Sequence, residues 1–340
     1  MSALIKYLHI KNFKSVRDLS LDCERINVFI GKPNAGKSNI LEAISLLGAD
    51  HALRDTRFMT SYLRYKSIEQ LFTRFDINQP ISVIADEVEA ELRASFIEQG
   101  AFKFSISVPA TLRQPDNGFP IFSPLTISMG KDGSKWQATF DKESSSPIKK
   151  YDFRSFNTYE ERGLFLHPPH GENLFYIANT NPEIREEIQR FLKPNGFEFL
   201  RDIENKSMAI VQKTEDSLLS YPMYLVPDTF QRYVFHLAAI LSNKESVLLF
   251  EEPEAHSYAP YVYQLTRFVL DDSNDNQFFI TTHNPYFLLP LLQESSGVAV
   301  FTTWFENYQT HVRRMSEEEI RDILDYGVDI FLNLDQFIPA

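Results

Sequence analysis

The pattern of apolar and polar positions changes twice along the chain. At the start, "LIKYLHIKNF" and "SVRDLSLD" alternate at period two, as half-buried strands do. "INVFIG" is a continuous apolar run, as a strand buried on both faces would be. Straight after it, Ile40, Leu41, Ile44 and Leu47 recur at helical spacing, with Gly48 as the predicted stop. The middle of the chain reads differently. "SIEQLFTRF" and "EIREEIQRFL" predict helices. "ISVIADEVE", "FKFSISV", "PLTISMG" and "KWQATF" predict strands, antiparallel by their turn-rich spacing, and "RQPDNG" and "KESSSPIKK" predict loops. Beyond it, helices and buried strands alternate: helix "DTFQRYVFHLAAIL" with Asp228 or Thr229 as N-cap, strand "SVLLF", helix "YAPYVYQLTRFVLDD" and strand "QFFITTH". "GVAVFTTWFE" and "QTHVRRM" form a closing pair before a last helix, "EEEIRDILDYG".

Strands alternating with helices imply α/β architecture with parallel strands. The expected fold is therefore a mixed central sheet interrupted by an α+β insertion. The core would comprise residues 1–50 and 225–340, and the insertion residues 51–224.

The junction after "INVFIG" carries chemistry. Gly31, Lys32, Pro33, Asn34, Ala35, Gly36, Lys37 and Ser38 fit G-x-x-x-x-G-K-[ST], between a buried strand and a helix as the motif requires. Glycines let the backbone wrap a phosphate, and the loop N–H groups and helix N-terminus face the anion. Lys37 would reach the outer phosphates and Ser38 would ligate Mg²⁺; Asn39 opens the helix behind them. The pattern points to a nucleoside triphosphate with Mg²⁺ and is silent on what the energy serves.

A second buried strand ends in acid, at "LLFEEPEAHSY". Beside a phosphate loop, Glu251 is placed to hold Mg²⁺ and Glu252 to act as general base on the attacking water. A metal ion nearby makes their mutual repulsion tolerable. The competing reading is a solvated acidic loop after a core strand. His283 follows the next buried strand, close enough to sense a γ-phosphate or the attacking water.

Composition narrows the classes. The net charge of -12 argues against a uniformly basic nucleic-acid binder but leaves room for a local patch. The single cysteine, Cys23, excludes a disulfide framework and fits a reducing cytosol, so a cytoplasmic location is expected. The N-terminus lacks a signal-peptide pattern. The longest apolar runs fall well short of the ~20 residues of a membrane helix, so no membrane partner is expected. The 29 phenylalanines and 15 tyrosines supply a large core.

Four motifs together resemble a known group. "NVFIGKPNAGKSNILEAI" is similar to the phosphate loop of SMC, RecF and OLD (overcoming lysogenization defect) ATPases, and "IKYLHIKNFKSVRDLSL" to their first strands. "VLLFEEPEAH" is similar to their Walker B and D-loop, and "FFITTHNPYF" to their His switch. The resemblance covers about residues 1–50 and 225–315. It implies an ABC-type head in which two copies sandwich two ATP molecules, each completed by the signature segment of the opposite copy.

The signature departs from the family's pattern. "VPDTFQR" puts Pro227 where Ser is usual and Thr229 where Gly is usual, and Arg232 matches the basic position; Asp228 lies between. Pro offers no N–H, so recognition in trans would be weakened or rebuilt. The family's Q-loop glutamine has one candidate, Gln70, against a plain solvated helix residue. Glu254 and His256 match the D-loop; for His256 a structural or interface role stands level with a catalytic one.

OLD nucleases add a C-terminal Toprim domain, which is not expected here because only about 25 residues follow the last predicted strand. The resemblance then implies a stand-alone ATPase that dimerises on ATP and controls a separately encoded effector, as in anti-phage systems. A second reading is a RecF-like DNA clamp, with Arg54, Arg57, Arg64, Lys66 and Arg74 meeting phosphates, or merely forming a solvated face. A third is a nucleotide-sensing scaffold of low turnover.

Overall fold

The computed structural model describes residues 4–95, 100–108, 124–140, 145–156, 159, 162–294, 297–326 and 330–338. The loop expected at "RQPDNG" lies outside them. By contacts the chain divides into two units. One holds Met1–Lys150, Glu245–Glu252 and Gln277–Ala340; the other holds Tyr151–Lys244 and Pro253–Asn276. This division falls elsewhere than the boundaries near residues 50 and 225.

The first unit contains two sheets. Strands β1 (Tyr7–Phe13) and β2 (Val16–Asp22) alternate inward and outward as their sequence implies. They do not join the parallel sheet. They pair antiparallel with each other, and β1 pairs with β4 (Ile81–Ala85). The antiparallel ladder continues through β5 (Val88–Ala94), β6 (Ala101–Ser107), β7 (Leu125–Gly130) and β8 (Lys135–Phe140), in the order β2-β1-β4-β5-β6-β7-β8. The middle strands therefore share a sheet with the N-terminus rather than forming a separate insertion layer.

"ISVIADEVE" is not one strand but a hairpin, β4 to β5, turning at Asp86 with φ 50°. Aspartate tolerates this left-handed backbone. Its carboxylate also accepts from Tyr7 N at 2.9 Å, which ties the turn to β1. "SIEQLFTRF" is likewise not a helix. It forms two short 3₁₀ turns, Ile68–Leu71 and Thr73–Phe75, separated by extended Phe72, which bridges to Phe13.

The second sheet has the order β16-β15-β3-β14-β13-β9. The wholly buried β3 (Ile26–Gly31) lies between β14 (Gln277–Thr281) and β15 (Val298–Glu306), parallel to both. Beyond β14 comes β13 (Val247–Glu251), also parallel. The edge strand β16 (Gln309–Arg314) returns antiparallel from β15. The other edge is β9 (Ile148–Tyr151), inside the stretch expected to be a loop. It is buried at every position, so polar "IKKY" hides a core strand from pattern reading.

Helix α1 (Lys37–Ser45) follows β3. It ends before Gly48, and a 3₁₀ turn, Leu46–Ala52, carries the chain on. Gly48 is not a helix stop: a Cβ there would lie 2.4 Å from the carbonyl oxygen of Ile148, so the position is small to let β9 approach. Phe29 of β3 stacks on Phe301 of β15 with ring centroids 5.1 Å apart, and Phe58 and Phe104 meet at 4.9 Å in the same core.

The second unit opens with α2 (Leu174–Thr180) and α3 (Pro182–Leu192), the latter capped by Asn181, whose side chain accepts from Glu183 N and Ile184 N. A three-stranded antiparallel sheet follows: β10 (Phe197–Asp202), β11 (Ser207–Lys213) and β12 (Leu218–Pro222). Helices α4 (Asp228–Ser242) and α5 (Ala259–Leu270) complete it, with Phe191 packed among Phe230, Tyr233 and Tyr261. In the first unit, α6 (Pro285–Glu294) follows β14 and α7 (Glu317–Tyr326) follows β16. No helix among the described residues is long and apolar enough to cross a membrane.

Candidate functional site

Three elements singled out by their sequence converge in the first unit because of strand order. The strand β14 separates β3 from β13, and all three run parallel, so their C-terminal ends share one sheet edge. Ligands of open α/β sheets bind at this edge. The phosphate loop leaves β3 there, Glu251 ends β13, and His283 follows β14.

Gly36 is the N-cap of α1, at φ 99°, and no side chain caps the helix. A Cβ at Gly36 would lie 1.9 Å from Thr310 Oγ1, so backbone and space both demand glycine. Asn34 also takes a left-handed conformation, at φ 63°. Lys37 curls back over the loop and donates to the carbonyls of Gly31 at 2.8 Å and Lys32 at 3.1 Å. Burial lowers its pKa to about 8, against the opposing pull of Glu252 and Glu251.

Other loop residues face away from this interior. Lys32 pairs with Asp335 at 2.6 Å. The carbonyl of Ala35 accepts from Thr310 Oγ1 at 3.0 Å, and Pro33 lines a surface cavity of about 370 Å³ with Lys32 and Trp304. Asn39 donates to Ser15 Oγ at 2.7 Å, and Ser15 meets Thr310 Oγ1 at 2.7 Å. Asn39 thus braces the loop against β16 and the β1–β2 turn.

Ser38 donates its hydroxyl hydrogen to Glu251 Oε1. This pair offers a divalent ion a hydroxyl and one carboxylate, the hard-oxygen set of a magnesium site completed by phosphate oxygens. Among the described residues no three His, Cys, Asp or Glu side chains form a metal cage without a ligand's help. Glu252 sits at φ 46°, an uncommon conformation for a residue with a long side chain, and its N–H is held by Thr281 O at 3.0 Å. That turn sends it beside His283, whose Nε2 lies 3.4 Å from Glu252 Oε1. Burial, then the charge of Lys37, lowers the His283 pKa, while Glu252 raises it.

Three further residues belong here that pattern reading did not select for the site. Glu42, on α1 and fully buried, pairs with Lys14 and takes Arg64 Nε at 2.7 Å. Arg64 Nη2 reaches Glu251 Oε1 at 3.6 Å. Lys150 Nζ, from β9, lies 3.8 Å from Glu251 Oε2. The signal for Glu42 was its place in an otherwise apolar helix face; the two cations had none.

The proposed basic patch is redistributed by these contacts. Arg64 faces the two glutamates, and Arg57 donates to the carbonyls of Asp132 and Lys66 and lies over the Tyr65 ring. Arg54, Lys66 and Arg74 are exposed. The side-chain oxygen of Gln70 accepts from Lys66 N at 2.7 Å in the capping of a 3₁₀ turn.

The residues expected to form the signature and D-loop lie in the second unit. Neither Asp228 nor Thr229 caps α4; its N-cap is Pro227, with no side-chain bond. The carboxylate of Asp228 is taken by Arg232 at 2.6 Å, and Arg232 lies over the Phe153 ring. Thr229 Oγ1 donates to the carbonyl of His256 at 2.8 Å, so these two segments are tied within one chain. Glu254 is buried.

A phosphate loop on a buried strand, with an acid-tipped parallel strand across one intervening strand, defines a P-loop NTPase fold. The chain belongs to the AAA ATPase domain family, whose profile matches residues 4–189. A second profile, described as "AAA domain, putative AbiEii toxin, Type IV TA system", matches residues 165–289. Similar proteins include an ATP/GTP phosphatase of Helicobacter pylori, 21% identical over 84% of this chain and 86% of that protein. RecF of Clostridium tetani is 24% identical over 55% of this chain and 50% of its own length. An uncharacterised Methanocaldococcus jannaschii protein is 28% identical over 42% of this chain, which spans 62% of it. RecF of Clostridioides difficile is 28% identical over 43% of this chain and 39% of its own length. A solved SMC head bound to the C-terminal winged-helix domain of ScpA superposes over 94% of this chain and 99% of that one, at 15% identity and TM-score 0.49.

Proposed function

We propose that this protein hydrolyses ATP with Mg²⁺ at the edge formed by β3, β14 and β13. The observation that carries this reading is the Ser38–Glu251 hydrogen bond, which brings the metal-side groups of two distant motifs together. The loop N–H groups of residues 31–38 and Lys37 bind the phosphates; Ser38 and Glu251 hold the ion. Bound Mg²⁺ would supply charge neutralisation on the β- and γ-phosphate oxygens. Glu252 accepts the proton of the attacking water, and neutral His283, held beside it, positions that water and reads the γ-phosphate. Phosphate release measured for the wild type, Lys37→Ala and Glu252→Gln tests this: turnover in the first and loss in both variants support it.

We infer further that two copies close on ATP, with Asp228, Thr229 and Arg232 facing the partner's nucleotide, and that this cycle controls a separately encoded effector. Similarity to a profile named for a toxin–antitoxin component supports that role. Light scattering of Glu252→Gln with ATP and with ADP tests the dimer; equal mass in both contradicts it. A DNA-binding role is the second reading, favoured by the RecF relatives. Duplex-DNA affinity at low salt tests it, and Arg54, Lys66 and Arg74 are the cations to substitute.

A further inference from the structure

Both lysines of β9 are buried, although lysine is rarely buried without a partner. Successive strand residues point to opposite faces, so each needs its own explanation. Lys149 has one in the fold: its Nζ donates to Ser246 Oγ at 2.9 Å and it faces the charge of Asp50. Lys150 points to the other face. Its ammonium has three donors. One goes to the carbonyl of Tyr62 at 3.2 Å, and the nearest carboxylate oxygen, Glu251 Oε2, lies at 3.8 Å, beyond direct hydrogen bonding.

The surrounding charges sharpen the point. Glu42 is already matched by Lys14 and by Arg64 Nε. Glu251 Oε1 is occupied by Ser38, with Arg64 at 3.6 Å. Lys14, Arg64 and Lys150 thus face two carboxylates, and Lys150 is the cation set against the outer oxygen of Glu251. A fixed cation there orients the carboxylate, and it also repels a mobile cation bound to it.

We propose that Lys150 is a positioning residue of the nucleotide site: a resident cation on Glu251 that sets how tightly the site holds its divalent ion. This rests on reading Ser38 and Glu251 as the metal side of that site. Lys150 holds the Oε2 edge of Glu251 while Oε1 stays with Ser38. The bound ion then competes with a cation fixed beside the same carboxylate, and its release after turnover is correspondingly easier.

The test uses the full chain with saturating ADP and Mn²⁺ as the probe, read by electron paramagnetic resonance. Lys150→Met should bind Mn²⁺ about fivefold tighter than the wild type or more. Lys150→Arg, which keeps the charge, should match the wild type. If Lys150→Met unfolds, Lys150→Gln, which retains a donor for Tyr62, takes its place with the same expectation. Equal or weaker Mn²⁺ binding in the neutral variants overturns the proposal, as does an Arg variant that behaves like the neutral ones. A wild type that binds ADP while Mn²⁺ affinity ignores residue 150 overturns only the role of Lys150. A wild type that binds no ADP overturns the nucleotide-site reading and this proposal with it.

Discussion

Ser38 and Glu251 are 213 residues apart in sequence and share a hydrogen bond. The register explains it: Phe29 of β3 pairs with Thr281 of β14, and Thr281 pairs with Glu251 of β13. Two rungs of a parallel sheet therefore align the start of α1 with the acid at the tip of β13. Ser38→Ala removes the hydroxyl proposed to hold the ion and should keep the fold. Calorimetry should show Mg²⁺-dependent ATP binding weakened about tenfold, with metal-free binding little changed.

Gly36 should tolerate no side chain. Its φ of 99° and the 1.9 Å approach to Thr310 Oγ1 make Gly36→Ala strained at the backbone and in packing. A loss of about 2 kcal/mol in denaturant unfolding is expected, with nucleotide binding lost alongside. Gly36→Ala combined with Thr310→Gly removes the Thr310 contact but leaves the backbone strain and the 2.9 Å approach to Ser15 Oγ, so it should recover only part of that loss.

Glu42 is buried between Lys14 and Arg64. Glu42→Leu leaves the mostly buried ammonium of Lys14 without its carboxylate, while the exposed Arg64 can rehydrate. The cost should be about 3 kcal/mol, less than for a pair buried on both sides. Glu42→Leu with Lys14→Met should recover most of it, a double-mutant cycle that measures the coupling.

His236 sets an acid limit to the stability of the second unit. It lies in α4, 3% exposed, and burial lowers its pKa from 6.5 to about 4. The unfolded chain binds a proton there between pH 6.5 and 4, and the folded chain does not. Stability therefore falls as pH drops through that window, by about 3 kcal/mol in all. Thermal unfolding of His236→Leu between pH 4 and 7 should show a flatter dependence than the wild type.

The parts of the site that were legible in sequence are those whose chemistry is local. Gly31 to Ser38, Glu251, Glu252 and His283 each stand at the end of an apolar run, and the runs mark the strands that hold them. What lay hidden depends on pairing between distant segments. Lys150 sits in "IKKY", where the polar letters suggest a loop, yet all four positions are buried at the sheet edge. Arg64 reads as one cation of a basic stretch, and only the fold turns it toward Glu42 and Glu251. The strand β12, exposed along nearly its whole length, shows no alternation to detect. The β1–β2 pair was legible as strands, but its place in the antiparallel sheet was not, because alternation reveals a buried face and not the neighbour that covers it.

The central claim is that Glu252 and its neighbours form a hydrolytic site. Its most direct test is steady-state phosphate release from ATP and Mg²⁺ by the wild type and Glu252→Gln, with ATP binding measured on both. The expected result is turnover by the wild type, a drop of about a hundredfold or more in the variant, and unchanged ATP affinity. Equal turnover in the two proteins, or none in the wild type while it binds ATP, would contradict the account.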